Sequence, residues 1–171
     1  MSALAYVIGD ARGESDSLLA ALAARLEAEG WPLAGVVQTN TPRDCQRHCD
    51  MDLRVLGRAE IVRISQSLGS GSSGCRLDPE GLATAVALVE ARLAARPRLL
   101  ILNKFGKAEL EGRGFRALIG AALEQGIPVL LGLNRLNQPG FEAFAEGLAE
   151  PLAADPDALV DWCRTRAAVA I

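Results

Sequence analysis

Gly9-Asp10-Ala11-Arg12-Gly13-Glu14-Ser15-Asp16-Ser17 is the stretch that decides how this chain is read. It follows an apolar run, Leu4-Ala5-Tyr6-Val7-Ile8, and precedes Leu18, Leu19, Leu22 and Leu26, which recur at helical spacing before Gly30. Strand, glycine-containing turn and helix is the setting of a phosphate-binding loop, where backbone N–H groups and the helix dipole converge on an anion. Such a loop also needs a lysine to bridge the outer phosphates and a hydroxyl to hold magnesium. Counted from Gly9, Ser15 stands at the lysine's place and Asp16 at the hydroxyl's. Gly9, Asp10, Arg12, Gly13, Ser15, Asp16 and Ser17 are therefore candidate anion-binding residues without the usual cation. The same stretch also fits an ordinary strand-to-helix turn with Ser15 or Asp16 as N-cap.

The chain's only two lysines, Lys104 and Lys107, stand in Asn103-Lys104-Phe105-Gly106-Lys107, after a second apolar run, Leu99-Leu100-Ile101-Leu102. In nucleoside triphosphatases the strand beside the phosphate loop ends in acidic residues that arrange magnesium and the attacking water. Here that place holds Asn103 and Lys104. A lysine there repels a divalent cation and attracts an anion, so Asn103, Lys104 and Lys107 join the candidate anion-binding set, with two solvated loop lysines as the alternative. Loss of lysine from the first loop and of acid from the second point together to anion binding without magnesium.

The rest of the chain organises around these loops. With 171 residues, half of them hydrophobic, it is long enough for one core and is expected to form a single domain over 1–171. Leu33 to Gln38 reads as a buried strand, so strand, helix and strand make a βαβ unit of a parallel sheet. Met51–Leu56 and Glu60–Ile64 alternate around Gly57-Arg58 as a hairpin. Ser65 to Asp78 is a loop rich in glycine and serine. Asp78-Pro79 opens a helix to about Arg96. A helix is predicted from about Gly114 to Gln125, a buried strand over Pro128–Leu133, a helix over Gln138–Leu148, and a last helix from Asp155-Pro156 through Trp162. The fold class is thus α/β, with three layers, a mostly parallel sheet and a β-hairpin insertion.

A net charge of -3 gives no general attraction for nucleic acid or anionic membrane. The N-terminal apolar stretch is too short for a membrane span and lacks a basic flank, so a cytoplasmic location with reduced thiols is expected. The expected partner is a small oxyanion or nucleotide, with nucleic acid and membrane insertion excluded and homo-oligomers left open.

Asn103-Lys104-Phe105-Gly106-Lys107-Ala108-Glu109-Leu110, with Phe115, Leu118 and Pro128-Val129-Leu130 beyond it, resembles the Walker B strand and following helix of the THEP-type P-loop nucleoside triphosphatases. Those proteins carry Asp-Glu-Ile-Gly-Lys-Met-Glu-Leu there, so Gly106, Lys107, Glu109 and Leu110 match and the two acids do not. Nearly the whole chain resembles a bacterial family catalogued as domain of unknown function 2478. Gly35-Val36-Val37-Gln38, Cys49-Asp50-Met51-Asp52-Leu53-Arg54-Val55-Leu56, Gly74-Cys75-Arg76-Leu77-Asp78-Pro79 and the lysine loop carry that resemblance. It implies a P-loop NTPase-like fold with degenerate Walker motifs and a link to molybdenum uptake or use. Molybdate, a tetrahedral dianion, and nucleotide phosphate are the ligands it suggests.

Cys45-Gln46-Arg47-His48-Cys49 with Cys75 is a further constellation of thiols and the single histidine, suited to soft metals but equally to free thiols in a polar loop. Cys49, Arg54, Cys75 and Arg76 form a candidate thiol or anion site, because arginine neighbours lower a thiol pKa and attract anions. No catalytic dyad and no definite metal site emerge. The expected function is binding or regulation through a phosphate-like oxyanion, with hydrolysis lost. Two alternatives stand: a slow magnesium-dependent nucleoside triphosphatase in which Lys104 replaces the loop lysine and Asp16 holds the metal, and a thiol or metal-binding protein built on Cys49 and Cys75.

Overall fold

The computed structural model describes residues 2–42, 49–66 and 76–167. In chain order the elements are β1 (Leu4–Val7), α1 (Glu14–Ala28), β2 (Leu33–Pro42), β3 (Cys49–Val55), β4 (Ile61–Arg63), β5 (Ser65–Gln66), β6 (Arg76–Leu77), α2 (Pro79–Leu93), β7 (Leu99–Leu102), α3 (Lys107–Leu110), α4 (Arg116–Glu124), β8 (Val129–Gly132), α5 (Gln138–Ala145), β9 (Ala149–Leu152) and α6 (Pro156–Ala167). The main sheet has the order β4-β3-β2-β7-β8-β1-β9. Its five strands from β2 to β9 are parallel. β3 and β4 extend it antiparallel at one side.

Strands β1, β7 and β8 are buried along their whole length, as continuous apolar runs covered on both faces should be. Alternate residues divide between two cores. Leu4, Tyr6, Leu100, Leu102, Val129 and Leu131 pack beneath α2, α4 and α5, while Ala5, Val7, Leu99, Ile101 and Leu130 pack beneath α1 and α6. Each fully buried leucine or valine contributes about 1.5–3 kcal/mol. Both tryptophans, Trp31 and Trp162, lie in the α1/α6 core, whereas Tyr6, Phe105, Phe115 and Phe141 lie in the other. Close approach of β2 to β7 requires Gly35: its φ is +117°, and a Cβ would stand 1.8 Å from the Ile101 carbonyl oxygen.

The predicted hairpin is present, with Asp52 opposite Arg63 and Arg54 opposite Ile61. Asp78 caps α2 by accepting from Glu80 N at 3.1 Å, with Pro79 in the first turn, and α2 ends at Leu93 rather than Arg96. Several expected boundaries are corrected. β2 does not stop at Gln38 but continues to Pro42, because β3 supplies an antiparallel partner from Val36 to Pro42. β1 and β2 are parallel but separated by β8 and β7, so the first βαβ unit spans the sheet. α5 ends at Ala145, where Glu146 turns left-handed at φ 49°, and the following residues form the unexpected edge strand β9. Pro151 is tolerated there because an outermost strand needs hydrogen bonds on one side only. Short α3, the small β5–β6 pair and the extension of α6 from Cys163 to Ala167 lie outside the elements that the sequence predicts.

Candidate functional site

At the carboxyl ends of the parallel strands the chain leaves β1 toward α1 on one face and β8 toward α5 on the other. Open α/β sheets bind ligands in the crevice where neighbouring connections diverge in this way. Gly9 lies at the bottom of the β1–α1 loop, where a Cβ would stand 2.8 Å from both Glu14 Cβ and Ser15 N. Gly13 occupies the N-cap position at φ 78° with no side-chain cap. Ser15 and Asp16 are therefore not the N-cap; both lie inside the first turn of α1, half-buried, while Arg12 and Ser17 are exposed. Two loop features were not foreseen. Ala11 N donates to the Glu14 carboxylate at 3.1 Å, so one loop N–H already serves an internal anion. Across the crevice Arg135 donates to Asp10 at 3.1 Å, with both side chains largely exposed.

The second loop meets the first through Asn103, which is 3 % exposed. Its Nδ2 donates to Asp16 Oδ1 at 2.9 Å and to Gln38 Oε1 at 3.1 Å, and its Oδ1 accepts from Gln38 N at 3.0 Å. Asn40 Nδ2 donates to Asp16 Oδ2 at 2.9 Å, and Asn40 Oδ1 accepts from Gln38 Nε2 at 2.7 Å. Both oxygens of Asp16 thus face neutral amide donors. Gln38 and Asn40 were missed as site residues; their spacing of two at the end of a strand was the available signal.

Lys104 is exposed and turns to a different place. With Lys107 it lines a cleft of about 230 Å³ whose floor includes Val36, Leu53, Ile64 and Phe115; no residue from Gly9 to Ser17 lines it. Lys107 is 88 % exposed and 4.0 Å from Glu111. Glu109 holds the lysine loop in shape: buried at 5 % exposure, it accepts from Gly106 N at 2.8 Å and Phe115 N at 3.0 Å. Phe105 anchors the same loop, buried edge-on against Phe141 with ring centroids 5.0 Å apart.

Of the thiol constellation, Cys45, His48 and Cys75 lie outside the described residues, and Cys49 and Arg76 are described by backbone alone. Arg54 makes a two-pronged bond to Glu27 of α1 at 2.9 and 3.3 Å. Among the described residues no group of three or more His, Cys, Asp or Glu is placed to hold a metal. Cys163 is fully buried in the α1/α6 core, and burial pushes its thiol up to about 12. On the hairpin, the Arg63 guanidinium bonded to Asp52 lowers that carboxyl below its ordinary value.

The parallel order, the glycine turn into α1 and the three layers define a P-loop NTPase-like fold. Over 94 % of this chain and 95 % of the other, the structure superposes on THEP1 from the hyperthermophile Aquifex aeolicus with a TM-score of 0.66 at 14 % identity. The chain belongs to the family described as Protein of unknown function (DUF2478), whose model matches residues 4–162. It is also 31 % identical over 161 residues to the Molybdenum import ATP-binding protein ModC 2 of Bradyrhizobium diazoefficiens. That match covers 94 % of this chain but 18 % of the relative, so the chain spans less than a fifth of that protein's length. Among the described residues no helix is long and apolar enough to cross a membrane.

Proposed function

We propose that this protein binds a phosphate-like oxyanion, the phosphate of a nucleotide or molybdate, at the β1–α1 loop, without magnesium-dependent hydrolysis. The observation that carries this reading is the 2.9 Å hydrogen bond from Asn103 Nδ2 to Asp16 Oδ1. In a hydrolytic site the residues at these two places both present oxygen to magnesium or its water shell. Here one is a donor and the other an acceptor, and they bond directly, which leaves no place for the ion between them. What remains of the site is the glycine turn and the N-terminus of a 15-residue helix, features that favour anions with or without a metal. Arg12 and Ser15 stand beside it as further donors. The printed name of the ModC 2 relative, molybdenum import and ATP binding, supports both candidate ligands. A cytoplasmic binding or regulatory role linked to molybdenum uptake fits the same set.

Isothermal titration with ATP, GTP, molybdate and tungstate, each with and without magnesium, tests the reading. Saturable heat from at least one of them, unchanged by magnesium and unaccompanied by phosphate release, is the expected result. Absence of binding to all four, or binding that appears only with magnesium, overturns it.

A further inference from the structure

We propose that the cleft beside the lysine loop is a second binding site, for a small amphipathic carboxylate whose apolar body seats on the sheet and whose charge meets Lys104. This goes beyond the oxyanion reading and does not depend on it, since no residue of the β1–α1 loop lines the cleft.

The cleft opens between the β2–β3 part of the sheet, α2 and the lysine loop. Its floor is made by Val36 and Leu53 from neighbouring strands, with Ile64 and Phe115, all four at most 5 % exposed. At about 230 Å³ it lies below the range of about 300–1,000 Å³ typical of drug-sized ligands, so it suits a fragment-sized molecule. Such a floor rewards an apolar body and gives a polyphosphate nothing to bond.

Polar groups at the rim narrow the choice of head group. Glu109 borders the cleft, but its two oxygens are engaged by Gly106 N and Phe115 N. Asn103 is engaged by Gln38 and Asp16. Lys107 points to solvent beside Glu111. Among the described residues no carboxylate lies within ion-pairing distance of Lys104. Among the described residues the cleft thus carries Lys104, with no carboxylate beside it, and at its rim Lys107, shared with Glu111, above an apolar floor, an arrangement that matches one carboxylate on an apolar body. Because Lys104 directly follows Asn103, a ligand bound here also adjoins the hydrogen-bond network that reaches Asp16.

The test is a titration of the ¹⁵N-labelled full chain with sodium benzoate and sodium hexanoate against the neutral benzamide and hexanamide, followed by amide chemical shifts. Both carboxylates are expected to shift Leu53, Lys104 and Ala108 saturably, with the neutral amides about tenfold weaker, as loss of one charge-assisted hydrogen bond dictates. Lys104→Met should bring the carboxylates to the level of the amides, while Arg164→Met, on α6 at the other face of the sheet, changes affinity less than about twofold. Equal binding of charged and neutral probes, no saturable shift, or an unaffected Lys104→Met variant overturns the proposal. Displacement of benzoate by inorganic phosphate at equal concentration also overturns it, since the apolar floor would then contribute nothing.

Discussion

Asn103→Asp restores an acid at the end of β7 and tests whether Asp16 and Asn103 hold the two loops together as a neutral-donor pair. The new carboxylate would face Asp16 at the 2.9 Å now spanned by a hydrogen bond. Two unit charges about 3 Å apart repel by about 5–6 kcal/mol at an effective dielectric constant of about 20. Relaxation and partial solvation of Asp16 reduce this, so a net loss of about 3–5 kcal/mol is expected at pH 8. For a chain of this size that is a fall in Tm of roughly 6–20 °C. The sign of the pH dependence follows: the folded variant must hold a proton between the two carboxyls that the unfolded chain releases, so its stability rises as pH falls from 8 toward 5. Magnesium should restore part of the loss by bridging the acids, and it should do nothing for the unmodified chain. Urea denaturation at the two pH values, with and without magnesium, reads all of this. Exchanging the two residues, Asp16→Asn with Asn103→Asp, should recover most of the stability, because donor and acceptor merely trade places. An Asn103→Asp variant within about 0.5 kcal/mol of the parent at pH 8 without magnesium would refute the reasoning.

Three further outcomes are expected. Glu14→Gln removes a negative charge from the loop while keeping an acceptor for Ala11 N, and should tighten oxyanion binding about tenfold by titration; unchanged or weaker binding would count against the loop as the anion site. Glu109→Ala strands two N–H groups in the core at about 1–3 kcal/mol each, so thermal unfolding should begin roughly 4–24 °C lower, whereas Glu111→Ala at the surface should leave it almost unmoved. Cys163 should resist iodoacetamide at pH 8 in the folded protein, as peptide mass spectrometry can establish. Since the folded thiol keeps its proton up to about 12 while an unfolded one loses it near 9, it should lower stability by about 1.4 kcal/mol per pH unit across that window. Cys163→Ala should lack that slope.

Strands β1, β7 and β8 were legible in the sequence because burial on both faces writes them as uninterrupted apolar runs. β9 was not, since Ala-Glu-Pro-Leu carries no strand signal of its own and is ordered by the open edge of β1. The outer half of β2 is polar for a similar reason: it is a strand because β3 pairs with it. At the site, the coupled changes in the two loops could be read from residue types alone, and both loops do adjoin. The link proved to be Asn103 to Asp16, 87 residues apart, rather than Lys104. No local pattern distinguishes which of two neighbouring residues turns toward the helix and which toward the cleft. Arg54 shows the same limit, being engaged by Glu27 from a helix on the sheet's far side.

The unequal sharing of aromatic residues between the two cores has a practical side. Trp31 and Trp162 both sit with α1 and α6, so intrinsic emission excited at the indole band reports one side of the sheet and is nearly blind to the other. Ligands in the Lys104 cleft should leave that emission almost untouched. If the two sides melt at different temperatures, tryptophan fluorescence and far-ultraviolet circular dichroism will give transitions that do not coincide. One unlabelled molecule therefore contains its own reporter for telling its two halves apart.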